Sequence, residues 1–335
     1  MKQKILVTGG LGYIGSHTVV ALQEEGYGVV IIDDLSNSSV DFLDRITSIT
    51  GIRPEFEKFD LMDQNRTRKF FDQYSIDGLI HFAAFKSVGE SVKRPLAYYQ
   101  NNLFSLIDLL QIFQERELDH FIFSSSCTVY GQANELPIKE SALVKPAESP
   151  YGKTKQMSEE ILKDYTSAYD KKVISLRYFN PIGAHPSGRI GELPLGVPQN
   201  LIPFITQTAI GKREELLIFG GDYPTSDGTA VRDYIHVCDL ARAHVAALRR
   251  LLESRSKTGF EVFNLGTGKG HSVLEVVKTF EKVSGLKLNF RIIGRRRGDI
   301  IAAYADTKLA NETLRWQSKS SLSEALRTAW LWEKR

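Results

Sequence analysis

The chain has 335 residues, 42% hydrophobic and 25% charged, with 43 Lys and Arg against 40 Asp and Glu for a net charge of +3. That length suits one large α/β domain or two domains sharing a cleft, and the near-balanced charge gives no reason to invoke nucleic acid or a membrane surface. Cys127 and Cys238 stand in no metal-ligand or disulfide spacing, which suits a reducing cytoplasm. The first apolar run is too short for a signal peptide, and no segment reaches the ~18 apolar residues of a membrane span.

Ile5-Leu6-Val7, ended by Thr8-Gly9-Gly10, has the pattern of a buried parallel strand. Gly9, Gly12 and Gly15 follow at GxxGxxG spacing, ahead of a helix through His17, Val20, Ala21 and Leu22. Glycines there permit a tight turn and close approach to a pyrophosphate, and the helix N-terminus offers it free N–H groups. Val29–Ile32 is the next strand and ends at Asp33-Asp34, about twenty residues beyond the glycines. An acid there binds adenosine ribose hydroxyls and repels a 2′-phosphate, and no arginine stands nearby to accept one. NAD is therefore expected over NADP. A strand over Pro54–Phe59 ends at Asp60-Leu61, an expected adenine contact, and one over Gly78–Ala84 ends in small residues where a nicotinamide riboside can pass. His81, inside that apolar run, reads as a core histidine. The helix from about Leu96 to Glu115 is apolar on more than one side through Leu103, Phe104, Leu106, Ile107, Leu109, Leu110, Ile112 and Phe113. One face can cover a sheet; the other meets either a second subunit or more of the same chain. Phe121–Ser126 is a strand ending in hydroxyls. This alternation predicts an α/β fold with a doubly wound parallel sheet, whose ligands gather at strand carboxyl ends. Asp33, Asp60, Ala84 and Ser126 fall there.

Ser149 as N-cap and Pro150 at the first turn open a helix that runs to about Ala168. Tyr151 and Lys155 are i and i+4 on it, about 5–6 Å apart at Cβ. A free phenol titrates near ~10. Use as a base near neutrality needs about 4 kcal/mol of phenolate stabilisation, part from Lys155 and part from a positive nicotinamide. The same spacing recurs at Tyr304 and Lys308, but Asp306 reads as the N-cap of a new helix, which takes that pair off one face. Beyond Phe179, prolines 181, 186, 194, 198 and 203 break the alternation and mark a smaller domain, from which Tyr234–Leu252 can return to the first. Arg291 and Arg295–Arg297 form one short cluster whose planar forks suit phosphate oxygens better than a nucleic-acid field. Gly266, Gly268 and Gly270 read as an ordinary strand-to-helix turn.

Thr8–His17, Asp33, Ser124–Gly131, Tyr151-x3-Lys155 and Ser175–Phe179 resemble the extended short-chain dehydrogenase/reductase family, and within it the UDP-glucose 4-epimerases. Supporting stretches are Ser87–Ser91, Arg177–Pro181, Ala184–Gly188, Phe219–Thr225, Val231–Val237 and Asn264–Gly266, so the resemblance spans essentially the whole chain. It implies a Rossmann domain over residues 1–180 with tightly held NAD, joined by 234–252, and a UDP-sugar-binding α/β domain over 181–335. It implies interconversion of UDP-galactose and UDP-glucose by transient oxidation at C4. Tyr151 as phenolate takes the 4-hydroxyl proton, Ser126 orients that hydroxyl, and Lys155 holds the nicotinamide ribose and lowers the Tyr151 pKa. The implied cofactor contacts are Gly9, Gly12, Tyr13, Ile14, Gly15, Asp33, Asn37, Asp60, Leu61, Phe82, Ala83, Ala84, Lys86, Asn101, Ser124, Tyr151, Lys155, Tyr178 and Phe179. The implied substrate contacts are Lys86, Ser126, Tyr151, Asn180, Asn200, Leu201, Phe219, Arg232, Arg296, Asp299 and Ala303, with Arg232 and Arg296 on the diphosphate and Asp299 on the uridine ribose. A cytoplasmic homodimer built on a shared helix bundle is implied as well, and it gives the Leu96–Glu115 helix its partner.

Ala303 stands where a bulky Tyr in the family restricts the pocket to glucose and galactose. A small residue leaves room for an N-acetyl group, so the acetylated pair UDP-GlcNAc and UDP-GalNAc is an expected second substrate. Ile301, Arg297 and Tyr304 are the neighbours that could reshape this wall. Two other readings stand beside this one. The 4,6-dehydratases carry an Asp-Glu pair after the active-site hydroxyl and decarboxylases a Glu, whereas Cys127-Thr128 follows Ser126 here. A non-catalytic NAD-sensing regulator on the same fold could dispense with the Tyr–Lys pair, which this chain has.

Overall fold

The computed structural model describes residues 2–296 and 299–335. Arg297, named above as a possible shaper of the substrate loop, lies outside the described residues. Strand β1 (Lys4–Thr8) leads through the glycine turn into helix α1 (Tyr13–Glu24), then β2 (Gly28–Asp33), α2 (Phe42–Thr50), β3 (Glu55–Lys58), α3 (Gln64–Gln73) and β4 (Gly78–His81). β3 and β4 are shorter than the runs Pro54–Phe59 and Gly78–Ala84, because each chain leaves the ladder where the site begins. Helices α4 (Val88–Lys93), α5 (Pro95–Tyr99) and α6 (Ser105–Glu115) follow, with a π-turn over Gln100–Phe104 inside the expected Leu96–Glu115 helix. β5 (His120–Ser126), α7 (Pro150–Tyr169) and β6 (Lys172–Tyr178) complete the first half. Ser149 caps α7 by accepting from the Gly152 N–H, and left-handed Asp170 ends it.

The second half contains β7 (Asn180–Ile182), α8 (Leu201–Ala209), β8 (Leu216–Phe219), β9 (Val231–Arg232), β10 (Tyr234–His236), α9 (Val237–Leu252) and β11 (Phe260–Leu265). It ends with β12 (His271–Ser272), α10 (Val273–Ser284), β13 (Phe290–Ile293), β14 (Ala302–Ala303), α11 (Lys308–Leu314) and α12 (Leu322–Glu333). Thr307, not Asp306, is the residue before α11. Asp306 instead turns the chain by accepting from the Lys308 N–H, and Tyr304 precedes the helix.

Seven parallel strands form the main sheet in the order β11-β6-β5-β4-β1-β2-β3. Side chains alternate across it. Ile5, Val7, Val29, Ile31, Ile80 and Ile122 pack under α1, α2 and α9, while Leu6, Val30, Ile32, Leu79, Phe121 and Phe123 pack under α3, α6 and α7. Near-continuous apolar strands are what a sheet covered on both faces requires. α9 and β11 thus bring the second half back onto the first, and β11 lies beyond the returning segment 234–252. The strand order reverses between β1 and β4, which opens a crevice at their carboxyl ends. A smaller layer of short sheets, β10-β7, β12-β9-β14 and β13-β8, packs with α8, α10 and α12 around its own core. Val129, Tyr130, Ile138, Phe179, Ala303 and Ala305 form the seam between the two. Among the described residues no helix is long and apolar enough to cross a membrane.

Candidate active site

One cleft, open to solvent, runs along the carboxyl ends of β1, β2, β3, β4, β5 and β6. It is lined by every cofactor candidate named above except Phe179, which is buried in the seam with its N–H on the Leu265 carbonyl. Its floor begins at the glycine turn. Gly9 is left-handed (φ +67°), and a Cβ there would stand 2.9 Å from the Ala83 nitrogen; at Gly15 it would stand 2.2 Å from the Gly9 carbonyl. No side chain caps the α1 N-terminus at Gly12, which leaves its N–H groups facing the cleft for an anion. Asp33 accepts from the Leu11 and Leu35 N–H groups, both at 3.0 Å, and from Ser38 Oγ at 2.7 Å. A carboxylate has about four acceptor positions, so one remains for a ribose hydroxyl. Burial raises the Asp33 pKa against those bonds. A glycine cradle, an open helix N-terminus and a strand-end acid together fit a dinucleotide. Ile32, Asp34, Ser36, Ser38, Phe59, Phe85 and Ser105 line the cleft as well; Asp34 and the strand ends Ile32 and Phe59 were legible in the sequence, and nothing there singled out Ser36, Ser38, Phe85 or Ser105.

The π-turn serves the far end. It turns Asn101 to the cleft and Asn102 inward, where Asn102 Oδ1 accepts from the Phe85 N–H at 2.8 Å. Asn102 Nδ2 donates to the Phe85 carbonyl at 3.0 Å and to Thr154 Oγ1 at 3.1 Å. The loop after β4 is thereby pinned to α7. His81 is buried and shares a 2.8 Å hydrogen bond with Thr8 Oγ1, and burial lowers it to about 3, so it is a neutral core group.

Tyr151 and Lys155 line the same cleft from α7. Lys155 Nζ donates to the Ser124 carbonyl at 2.7 Å, lies 4.7 Å from the Phe123 ring centre and 5.9 Å from that of Tyr151. Burial lowers it to about 8, with Glu159 acting the other way. Burial pushes the Tyr151 phenol up to about 12; the Ser126 hydroxyl opposes this, and Cys127 and Tyr98 add to it. In this arrangement the Lys155 ammonium is committed to a backbone carbonyl, and desolvation dominates the phenol. Ser126 closes β5, and its Oγ accepts from the Thr128 N–H at 3.2 Å. Tyr178 closes β6, with its hydroxyl on Ser124 Oγ.

The substrate candidates of the second half are not among the residues that line that cleft, and Ala303 lies in the seam itself. The buried Asn180 Oδ1 has no hydrogen-bond partner among the described residues. Asn200 precedes α8, ahead of Leu201, and donates to Glu192 Oε1 at 2.6 Å. Arg232 stands in register with Ala303. Ala303 is 2% exposed, and the Tyr304 ring turns away to lie against Gly270. Arg296 lies 4.6 Å over the Phe219 ring and is paired with Asp299 through bonds of 3.0 and 3.1 Å. Glu192 was not singled out in the sequence, yet Asn200 and Lys86 (3.8 Å) both reach its carboxylate. Burial raises its pKa against both.

A family model described as the NAD dependent epimerase/dehydratase family matches residues 5–266. The UDP-glucose 4-epimerase of Yersinia enterocolitica is 49% identical over 331 residues, 98% of this chain and 97% of that protein. That of Bacillus subtilis (strain 168) is 50% identical over 330 residues, 98% and 96%. The structure of UDP-glucose-4-epimerase from Stenotrophomonas maltophila, with bound NAD and formylated UDP-arabinopyranose, matches with a TM-score of 0.95 at 47% identity, covering 99% of this chain and 98% of that one.

Proposed function

We propose a residue-level route for a chain that belongs to the NAD dependent epimerase/dehydratase family. It is an isomerase that interconverts UDP-galactose and UDP-glucose with NAD. NAD, held by the glycine turn and Asp33, would supply a hydride acceptor for C4 of the sugar and, once reduced, a hydride donor for the opposite face. Tyr151 takes the proton of the 4-hydroxyl during the oxidation and gives it back during the reduction. Ser126 directs that hydroxyl, and Lys155 holds the nicotinamide ribose. Asn180, Asn200, Arg232, Arg296 and Asp299 hold the UDP-sugar, Arg296 and Asp299 exchanging their mutual pair for ligand oxygens. One observation carries this reading. Tyr151 and Lys155 line the same cleft as the glycine turn and Asp33, while Cys127, next to Ser126, packs into the seam with Ala303 and Phe179. The test is the purified protein with UDP-galactose and no added NAD: UDP-glucose should form. A dehydrated product, or no turnover with NAD bound, overturns the route.

Residues 1–180 with 234–252, extended by β11, serve as the NAD part, and the rest of 181–335 as the UDP-sugar part. A homodimer is supported by the apolar face that α4 to α7 leave uncovered, where Leu96 is 80% and Phe104 52% exposed beside Val92, Ile107 and Met157. The free thiols of Cys127 and Cys238 suit a cytoplasmic location. The small Ala303, with Tyr304 turned away, supports acceptance of the N-acetylated UDP-sugars. Size alone grades such a preference by about 1–3 kcal/mol rather than forbidding it.

A further inference from the structure

Glu159 takes no part in that route. It stands one helical turn beyond Lys155 and two beyond Tyr151 on α7, and its side chain is 8% exposed. Ser125 Oγ donates to it at 2.6 Å and Ser175 Oγ at 2.9 Å; Arg177 Nε lies 3.0 and 3.1 Å from its two oxygens, and Arg177 Nη2 also donates. An amide has one acceptor oxygen and could not take this set. The donors come from the strand segments that build the site. Ser125 lies between Ser124, whose carbonyl holds Lys155, and Ser126; Arg177 immediately precedes Tyr178. Side chains alternate along a strand, so Ser125, Ser175 and Arg177 face the helix while Ser124 and Tyr178 line the cleft. Arg177 also lies 4.8 Å over the ring of Tyr130, which belongs to the turn that follows Ser126.

The charged groups around Lys155 are few. Tyr151 and Glu159 share its helix, α7, neutral His81 faces it from β4, and β5 presents the Phe123 ring and the Ser124 carbonyl. Glu159, one turn along the same helix and beyond direct ion-pair distance, is the anion set against desolvation of the ammonium, and Arg177 balances that anion.

We propose that Glu159 is a positioning residue for the epimerisation, keeping Lys155 charged and setting the register of α7 against the strand ends that carry Ser126 and Tyr178. The proposal rests on the role given to Lys155 above. The measurement is kcat of the NAD-loaded enzyme against pH. Its alkaline limb is first assigned by its disappearance in Lys155→Met. Glu159→Gln should then move the limb down by about one pH unit, since a nearby opposite charge shifts a pKa by about that much or more. Glu159→Asp should restore it. Arg177→Gln, which leaves the carboxylate unbalanced, should move the limb up. Ser125→Ala removes a hydrogen bond and no charge, and should lower thermal stability with the limb in place. A limb that stays put in both charge variants, or moves the same way in both, overturns the proposal while leaving the Lys155 role intact. A limb that persists in Lys155→Met overturns both. Should Glu159→Gln fail to fold, the opposed outcomes of Arg177→Gln and Ser125→Ala give the same decision.

Discussion

Replacing Tyr151 by Phe keeps the ring and removes one hydroxyl, which isolates the proton-transfer role. Burial holds this phenol at about 12, about five units above neutral pH. At about 1.4 kcal/mol per unit, the phenolate needs about 7 kcal/mol of stabilisation to serve as a base there. One positive charge about 4 Å away contributes about 4 kcal/mol at an effective dielectric constant of about 20. A positive nicotinamide and the Lys155 ammonium, were each to stand at that distance, would together suffice; either alone would fall short. The ionisation of Tyr151 is therefore tied to the oxidised cofactor. The assay is near-ultraviolet difference absorbance of tyrosinate against pH, with Tyr151→Phe subtracted, in NAD-loaded and NADH-loaded protein. The midpoint should fall by several units with NAD relative to NADH. Tyr151→Phe should lose ~10²–10⁴-fold in kcat with fold and bound NAD retained. Equal midpoints in the two cofactor states, or near-normal turnover in the variant, would refute the reasoning.

Three further outcomes are expected. Ala303→Tyr fills the seam wall beside Arg232 and should reduce activity on the N-acetylated UDP-sugars by about 10–200-fold while largely sparing the other pair; equal loss of both, or a wild type inactive on the acetylated pair, rejects the wall role. Leu96→Asp with Phe104→Asp places two carboxylates on the exposed face of α5 and the π-turn, and sedimentation should report a dimer for the wild type and a monomer for the variant; a variant that stays dimeric places the interface elsewhere. Burial holds His17, His81 and His244 at about 3, 3 and 4. The unfolded chain titrates them near ~6.5 and so binds more protons between about pH 4 and 6.5, where stability should fall on acidification by about 1.4 kcal/mol per unit for each. Urea unfolding across that window checks this. His244→Phe should lessen the slope, because it removes one group that is neutral in the folded chain and takes up a proton in the unfolded one. An unchanged slope counts against a neutral buried His244.

Much of the cofactor half was legible because its signals are local. A strand, a glycine turn and a helix occupy consecutive residues, and Asp33 falls where the next apolar run stops, so periodicity and turn chemistry suffice. The pieces that escaped are set by contacts distant in sequence. β11 reads as a short apolar run, and nothing local says that it pairs with β6 rather than with the smaller layer. The π-turn at Gln100–Phe104 exists to aim two successive asparagines, and helix propensity does not register one extra residue in a turn. Glu192 is a single acid in a proline-rich loop, recognisable only once Lys86 and Asn200, far apart in the chain, are seen to meet on it.

The Tyr151–Lys155 pair shows where the boundary lies. Spacing on one helix was enough to predict that the two side chains share a face, because that is a property of the helix alone. Their charge states are not. The phenol's pKa depends on how completely β5, β6 and the π-turn exclude water, and the ammonium's on whether it meets the phenol or the Ser124 carbonyl. Here the ammonium meets the carbonyl at 2.7 Å, so the part of the phenolate stabilisation assigned to the nicotinamide carries more weight. On this reading the phenol gives up its proton only beside an oxidised nicotinamide. Proton removal from the sugar is thereby confined to complexes that can also accept its hydride.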